Sequence, residues 1–389
     1  MTNQTMPLAT LRAELPLTKT TAYFQTGTYG LTPDSVTQLV YETLQFMNHS
    51  GTSSPDTLRK LHEQEAMAKD KLARFLNVSV PELAWMPNTS QAMHKVLHAM
   101  RWEAGDEFIV TSAEHVSMQG ACQALERDYG VVVKTIPANG GDEVLLAALE
   151  EMITARTKLF CISEVSTMDG RRLPVKHSTQ IAHARKVLVL VDVAQSVGQL
   201  PVDLTALGCD FAIGSIHKWM LGTKGLGFLY VNQTQIPSFI PDFIPDYHPW
   251  TKMDEPLPPI DAASRADQGT HNYAIRIGVN RTIDILNAIG INHIAAHCKQ
   301  LTQLFFDAIG DWAGVNIISS TNPAHITGLC CINFDGYAEP QVRELIAKLL
   351  DEQIVVKYQP EPNGIRISFA AFNTKDDVQR LVASLKQHL

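Results

Sequence analysis

The run Val187-Leu188-Val189-Leu190-Val191 constrains the fold more than any other stretch of this chain. It has no polar face, so it is expected as a strand buried on both sides, the situation of a parallel sheet covered by helices. Shorter strand-like runs surround it at Leu83–Met86, Phe108–Thr111, Val131–Ile136, Lys158–Ser163 and Phe211–Gly214. Helical patterns alternate with them at Ser90–Arg101, Met118–Arg127, Glu143–Ile153 and Ser178–Arg185, after two more at Pro33–His49 and Asp56–Leu76. This alternation predicts an α/β fold with a mostly parallel sheet between helices. Two long helical patterns follow Tyr273. Strands at Leu329–Phe334, Ile354–Lys357 and Ile365–Phe369 come next, and a helix from Lys375 closes the chain, which together predict a smaller α+β domain. At 389 residues the chain is too long for one compact domain. A division into a large domain over 21–285 and a small one built from 1–20 and 286–389 is expected. The Pro-rich, aromatic stretch from Ile236 to Pro259 is predicted as an ordered loop covering the site or an interface.

Charge and cysteine usage narrow the function classes. The net charge of −8 comes with no basic stripe, so nucleic acid is not an expected partner. No apolar run reaches transmembrane length, so no membrane association is expected. Residues 1–20 mix Arg12, Glu14 and Lys19 into short apolar stretches and lack a signal-peptide core. The six cysteines are scattered without C-x-x-C pairs and are read as reduced, buried thiols of a cytoplasmic protein.

The chemistry concentrates where two strands end. Asp192-Val193-Ala194-Gln195-Ser196 follows the first run, and Ser215-Ile216-His217-Lys218 follows the second. Open α/β sheets bind ligands at the carboxyl ends of their strands. An acid, an amide and a lysine converging there suit pyridoxal 5'-phosphate (PLP): the lysine would form a Schiff base and the aspartate would hold the pyridine nitrogen protonated. The pyridinium nitrogen paired with Asp192 is expected to lower the carboxyl's pKa and keep it charged. Gln195 can donate to the cofactor's phenolic oxygen. A strand-end cap is the competing role for Asp192, and it weakens once Lys218 stands downstream. Lys218 is expected to lose its proton readily, as a desolvated lysine beside other cations does. Lys224, in the glycine-rich turn Gly222–Gly227, is the competing lysine and is read as a surface residue.

At these residues the chain resembles the class V aminotransferases, a family that includes the cysteine desulfurases. The D-x-A-Q, S-x-H-K and glycine-turn segments occur in the family's order, and the resemblance spans nearly the whole chain. It implies PLP fold type I. It also implies that Pro87-Asn88-Thr89-Ser90-Gln91 holds the phosphate through Thr89 and Ser90 at a helix start, with Ser215 and His217 reaching it too. His115, after the strand ending at Thr111, would stack on the cofactor ring and take part in catalysis with Lys218 and Asp192. Thr167 stands where the family has asparagine, in a segment that otherwise contacts the cofactor. Arg265–Asn272 is similar to the segment that reaches the partner subunit's phosphate, which implies a homodimer with shared sites and assigns Thr270 to the partner's cofactor.

Arg366 lies in the apolar strand Ile365–Phe369, where an unpaired guanidinium is costly, and its planar fork suits an amino-acid carboxylate. Thr28 and Tyr29, in Tyr23–Pro33, are candidate substrate-pocket residues. The loop before Arg366, where the desulfurases place a nucleophilic cysteine, reads Val356-Lys357-Tyr358-Gln359-Pro360-Glu361-Pro362-Asn363 and has none. Cys330 and Cys331 belong to an apolar strand and are read as core thiols. The resemblance is therefore nearest the cyst(e)ine C–S lyases and the isopenicillin N epimerase-like branch. It implies a PLP-dependent lyase that cleaves cysteine, cystine or a cysteine S-conjugate by β-elimination. An amino-acid epimerase or aminotransferase of the same family is the alternative. From other classes come a catalytically silent PLP-binding protein and a dinucleotide binder using Gly222–Gly227, the last lacking a G-x-G-x-x-G at the first strand-to-helix turn.

Overall fold

The computed structural model describes residues 7–238, 262–267 and 269–389. Most of the stretch from Ile236 to Pro259, expected to cover the site or an interface, lies outside them.

The strands are β1 (Ala22–Tyr23), β2 (Leu83–Met86), β3 (Glu107–Thr111), β4 (Val132–Ile136), β5 (Thr157–Ser163), β6 (Leu188–Asp192), β7 (Phe211–Ser215), β8 (Gly227–Val231), β9 (Val315–Ile317), β10 (Leu329–Phe334), β11 (Ile354–Val355), β12 (Lys357–Gln359) and β13 (Gly364–Ser368). The helices are α1 (Leu8–Ala13), α2 (Asp34–Ser50), α3 (Pro55–Leu76), α4 (Thr89–Ala99), α5 (Val116–Tyr129), α6 (Asp142–Met152), α7 (Val175–Ala184), α8 (Leu204–Leu207), α9 (Tyr273–Ile289), α10 (Ile291–Ile309), α11 (Glu339–Asp351) and α12 (Lys375–His388).

Seven strands form the main sheet in the order β2-β8-β7-β6-β5-β3-β4. Only β8 runs antiparallel to its neighbours, so the carboxyl ends of β2, β3, β5, β6 and β7 share one edge. Side chains alternate between two cores. Ile109, Phe160, Ile162, Val189, Val191 and Ala212 pack with α3, α6, α7 and α9 on one face. Phe108, Val110, Leu159, Cys161, Leu190 and Ile213 pack with α4 and α5 on the other. Helix-covered faces on both sides explain why β6 reads as an unbroken apolar run. A four-stranded antiparallel sheet, β12-β13-β10-β9, packs with α10, α11 and α12 into a third core.

Two sequence expectations need correction. Ile354–Lys357 is not one strand: β11 pairs parallel with β1, whereas β12 pairs with β13 in the other sheet. The chain changes sheets at Val356, which local patterning does not show. Gly227, read as the end of the glycine turn Gly222–Gly227, begins β8, which is inserted antiparallel between β2 and β7. The two regions meet through the N-terminal loop. Gly30 donates its N–H to the His217 carbonyl at 2.7 Å, and a Cβ at Gly30 would sit 2.1 Å from the Lys218 carbonyl oxygen. Glycine is therefore required for this loop to close over the turn bearing Lys218.

Candidate active site

The shared sheet edge opens into a cavity of about 320 Å³. Thr28 and Tyr29 arrive from the N-terminal loop, Thr89 and Ser90 from the start of α4, and His115 from the start of α5. Thr167 follows β5, Asp192 ends β6, and Gln195, His217 and Lys218 come from the turns after β6 and β7. Arg366 reaches in from β13. The structure thus brings together most of the residues singled out in the sequence, plus Asn88, Ser117 and Lys357, which the sequence reading did not single out as site residues. Two predicted residues lie elsewhere. Ser215 is fully buried at the end of β7, its hydroxyl unpaired. Thr270 is exposed on a separate cleft with Pro87, Gln91, Lys95 and Arg276, so it does not serve the cavity of its own chain.

Each side chain is positioned by local backbone chemistry. Asn88 caps α4 by accepting the Gln91 N–H at 2.9 Å, which leaves the amides of the first turn, with Thr89 and Ser90, at the cavity. His115 caps α5: its Nδ1 accepts the Ser117 N–H at 3.2 Å. That bond assigns the imidazole proton to Nε2. Burial, then the charges of Lys218, Lys357 and Arg366, push the His115 pKa down to about 4, so near neutrality it is an uncharged flat ring. Burial, followed by the neighbouring Lys218 and Lys224, likewise lowers His217 to about 4.

Asp192 Oδ1 accepts the Ala194 N–H at 2.7 Å, so the capping geometry exists as well. Burial raises the Asp192 pKa, with Lys218 and the Ala194 N–H pulling the other way. Desolvation of the carboxylate, invisible in sequence, outweighs the nearby cation. Burial brings Lys218 down to about 8; Asp192 opposes this, and Arg366 and Lys357 reinforce it. The turn after Lys218 closes through the Leu221 N–H to the Lys218 carbonyl at 3.1 Å and carries Leu221 at φ 60°, strained backbone beside the site. Lys224 is exposed, its Nζ 5.3 Å from the Tyr29 ring centre.

Gln195 is tied down: Nε2 donates to the Gly27 carbonyl at 2.9 Å, and Oε1 accepts the Trp219 indole N–H at 2.8 Å. Its second amide hydrogen is directed toward Thr167 Oγ1, 3.4 Å from the nitrogen. Arg366 is 4% exposed and donates to Thr167 Oγ1 at 3.0 Å, the Thr167 carbonyl at 3.1 Å and Thr28 Oγ1 at 2.8 Å. Its Nε has no hydrogen-bond partner, and no carboxylate pairs with it among the described residues. A buried guanidinium held only by neutral groups is set up to receive an anion.

Behind the cavity, Glu114 is buried and accepts from Thr111 Oγ1 at 2.6 Å and from the Ser163 N–H and hydroxyl at 2.9 and 2.7 Å. Its place beside His115 was legible, its burial was not. Burial lifts its pKa from 4.5 to about 7, and the Asp192 charge adds to the rise. Between those values the folded chain keeps a proton that the unfolded chain has lost, so this group lowers stability as pH rises through that window. The full effect is about 3 kcal/mol. From about pH 5 to about pH 8, the wild-type chain should lose roughly 2 kcal/mol relative to Glu114→Gln. Denaturant titrations giving parallel stability curves for the two would contradict this.

A family model described as Aminotransferase class-V matches residues 23–381. The chain belongs to the class-V aminotransferase family. Curated relatives align with most of its length. A probable cysteine desulfurase of Methanothermobacter thermautotrophicus is 28% identical across 97% of each chain. A cysteine desulfurase of Yersinia pseudotuberculosis is 26% identical across 84% of this chain and 82% of its own. Among solved structures, the cystine C–S lyase C-DES with its product cysteine persulfide superposes with TM-score 0.88 at 22% identity, covering 95% of this chain and 98% of that one. A mutant of C-DES with glycine covalently linked to its PLP cofactor gives 0.89 at 22% identity, covering 96% and 98%. The apo cysteine desulfurase of Thermococcus onnurineus gives 0.87 at 24% identity, covering 97% of both chains. These likenesses establish the architecture as fold type I, as the class-V resemblance implied.

Proposed function

We propose that this class-V family member is a PLP-dependent carbon–sulfur lyase that cleaves cysteine, cystine or a cysteine S-conjugate by β-elimination. One observation carries the reading: a single cavity joins Lys218, Asp192 and Arg366 and has no cysteine on its wall. The names of the desulfurase and lyase relatives support carbon–sulfur chemistry.

The residues fit the cofactor. At the cavity, Thr89 Oγ1 and His217 Nδ1 are buried polar atoms without hydrogen-bond partners, and with the first-turn amides of α4 they suit a phosphate. When bound, PLP supplies an electron sink for charge developing at the substrate α-carbon. Asp192 would pair with the pyridine nitrogen and hold its proton. Lys218 would be the amine that holds the cofactor's aldehyde. Burial brings its pKa down to about 8, which would suit it to act as the base toward the substrate α-proton. His115, uncharged, can lie flat against the ring. Gln195 and Thr167 form the wall next to Arg366, which would hold the α-carboxylate, with Thr28 and Tyr29 completing the substrate side.

The fate of the sulfur separates a lyase from a desulfurase. The segment read as a loop before Arg366 is β12, a turn at residues 360–363 and β13, with no cysteine in any of them. Cys331, opposite Arg366 in β10, is fully buried, and burial pushes its thiol up to about 12. Such a thiol is a poor sulfur acceptor, so sulfur is expected to leave as a free thiol, sulfide or persulfide. Arg366→Ala should weaken binding of cysteine and cystine by about 2–4 kcal/mol while the visible cofactor absorbance stays. Unchanged apparent affinity for every sulfur amino acid would remove Arg366 from the site.

A homodimer with shared sites belongs to the same proposal. The exposed Thr270, on its separate cleft, supports a role toward a partner's cofactor. Light scattering should give about twice the chain's 43.0 kDa, and a monomer would remove this part. The domain division at 21–285 against 1–20 and 286–389 is supported by the separation of the two larger sheets along the chain, and limited proteolysis cutting elsewhere first would count against it. Six buried free thiols support a cytoplasmic location, and no helix among the described residues is long and apolar enough to cross a membrane. Fractionation placing the protein outside the cytoplasm would refute that assignment.

A further inference from the structure

The cavity holds more positive charge than the proposed lyase chemistry uses. Lys218, Lys357 and Arg366 all line it, against one carboxylate, Asp192. Asp192 is assigned to the cofactor's pyridine nitrogen, Thr89, His217 and the first turn of α4 to its phosphate, and Arg366 to the α-carboxylate, and none of these assignments uses Lys357. Lys357 and Arg366 are cross-strand partners in the β12–β13 pair, and both side chains face the cavity. Like charges directly opposite each other on a sheet are destabilising. Among the described residues, neither side chain has an ion-pair partner to offset that cost. Burial, then Arg366, brings the Lys357 ammonium down to about 8, so near neutral pH it is mostly protonated and short of an anion.

We propose that Lys357 binds a second anionic group of the substrate, carried beyond the β-sulfur. The substrate class is then an amino acid with one carboxylate for Arg366 and another in its leaving group, as in a cystine-type disulfide or a carboxyalkyl cysteine conjugate. This rests on the proposed function, which sets the orientation of the substrate. Elimination sends the carbon–sulfur electron pair to sulfur while Lys218 takes the α-proton, and the departing thiol keeps its carboxylate at Lys357. An uncharged thiol would leave Lys357 facing Arg366 with nothing between them.

The test uses the holoenzyme and two isosteres of S-carboxymethyl-cysteine in which a methylene replaces sulfur, so that neither can eliminate. L-2-aminoadipate carries the distal carboxylate and L-homoglutamine its amide. Their dissociation constants, from calorimetry or the change in cofactor absorbance, should differ by about tenfold in favour of aminoadipate, as expected for one charge-assisted contact. Lys357→Gln should bring the ratio close to one, and Lys357→Arg should keep a preference. The cofactor absorbance of each variant shows that the site is intact. A ratio near one in the wild type, or a tenfold ratio surviving in Lys357→Gln, overturns the assignment of Lys357. If S-conjugates are cleaved without that preference, only this inference falls. If neither isostere binds and no S-conjugate is cleaved, the proposed function falls with it.

Discussion

Lys218→Ala is expected to abolish both the visible absorbance of lysine-bound PLP and measurable turnover, while Lys224→Ala leaves both in place. Lys218 lines the cavity with its pKa brought down to about 8, whereas Lys224 is exposed above the Tyr29 ring. Removing the general base alone should cost roughly a thousandfold, and loss of the covalent attachment adds to it. The turn geometry should survive, because it rests on backbone hydrogen bonds from Gly30 to the His217 carbonyl and from Leu221 to the residue 218 carbonyl. Borohydride reduction and then peptide mapping should place the cofactor on Lys218. An adduct on Lys224 would contradict the assignment.

Asp192→Asn should retain PLP and lose activity by several orders of magnitude, on the order of a thousandfold or more. The amide oxygen can still accept the Ala194 N–H, so the capping role seen at 2.7 Å is preserved and only the charge is removed. Without a carboxylate the pyridine nitrogen is not held protonated, and charge at the α-carbon loses its sink. This substitution separates the two roles weighed for Asp192. A folded, PLP-containing variant with near-normal turnover would make it a structural cap alone.

What was legible in the sequence was local. Val187–Val191 has no polar face because both faces of β6 are covered, and residues just past a buried strand end in this fold face the cavity; D-x-A-Q and S-x-H-K could therefore be read without a partner strand. Lys357 could not. Its address depends on pairing with Arg366, and its segment passes from one sheet to another at Val356. β8 was missed because it begins inside the glycine turn, at Gly227, and an antiparallel insertion into a parallel sheet has no local signature. The chain shows that Asp192 and Lys218 can meet but not how dry their meeting place is, so the upward push of burial on Asp192 has no sequence signal. Glu114 stood next to His115 in plain view, yet the hydroxyls and amide that receive its carboxyl come from β3 and β5.

The carbon product of cystine or cysteine turnover tests the central claim most directly. Elimination gives the carbon–sulfur electron pair to sulfur and leaves 2-aminoacrylate, which hydrolyses to pyruvate and ammonia. Capture of the sulfur by an enzyme thiol leaves that pair on carbon and yields alanine, with a persulfide on the protein. The purified, PLP-loaded chain is expected to release pyruvate and ammonium in equal amounts while its intact mass stays constant. Alanine as the main product, together with a stoichiometric mass increase of one sulfur per chain, would contradict the account.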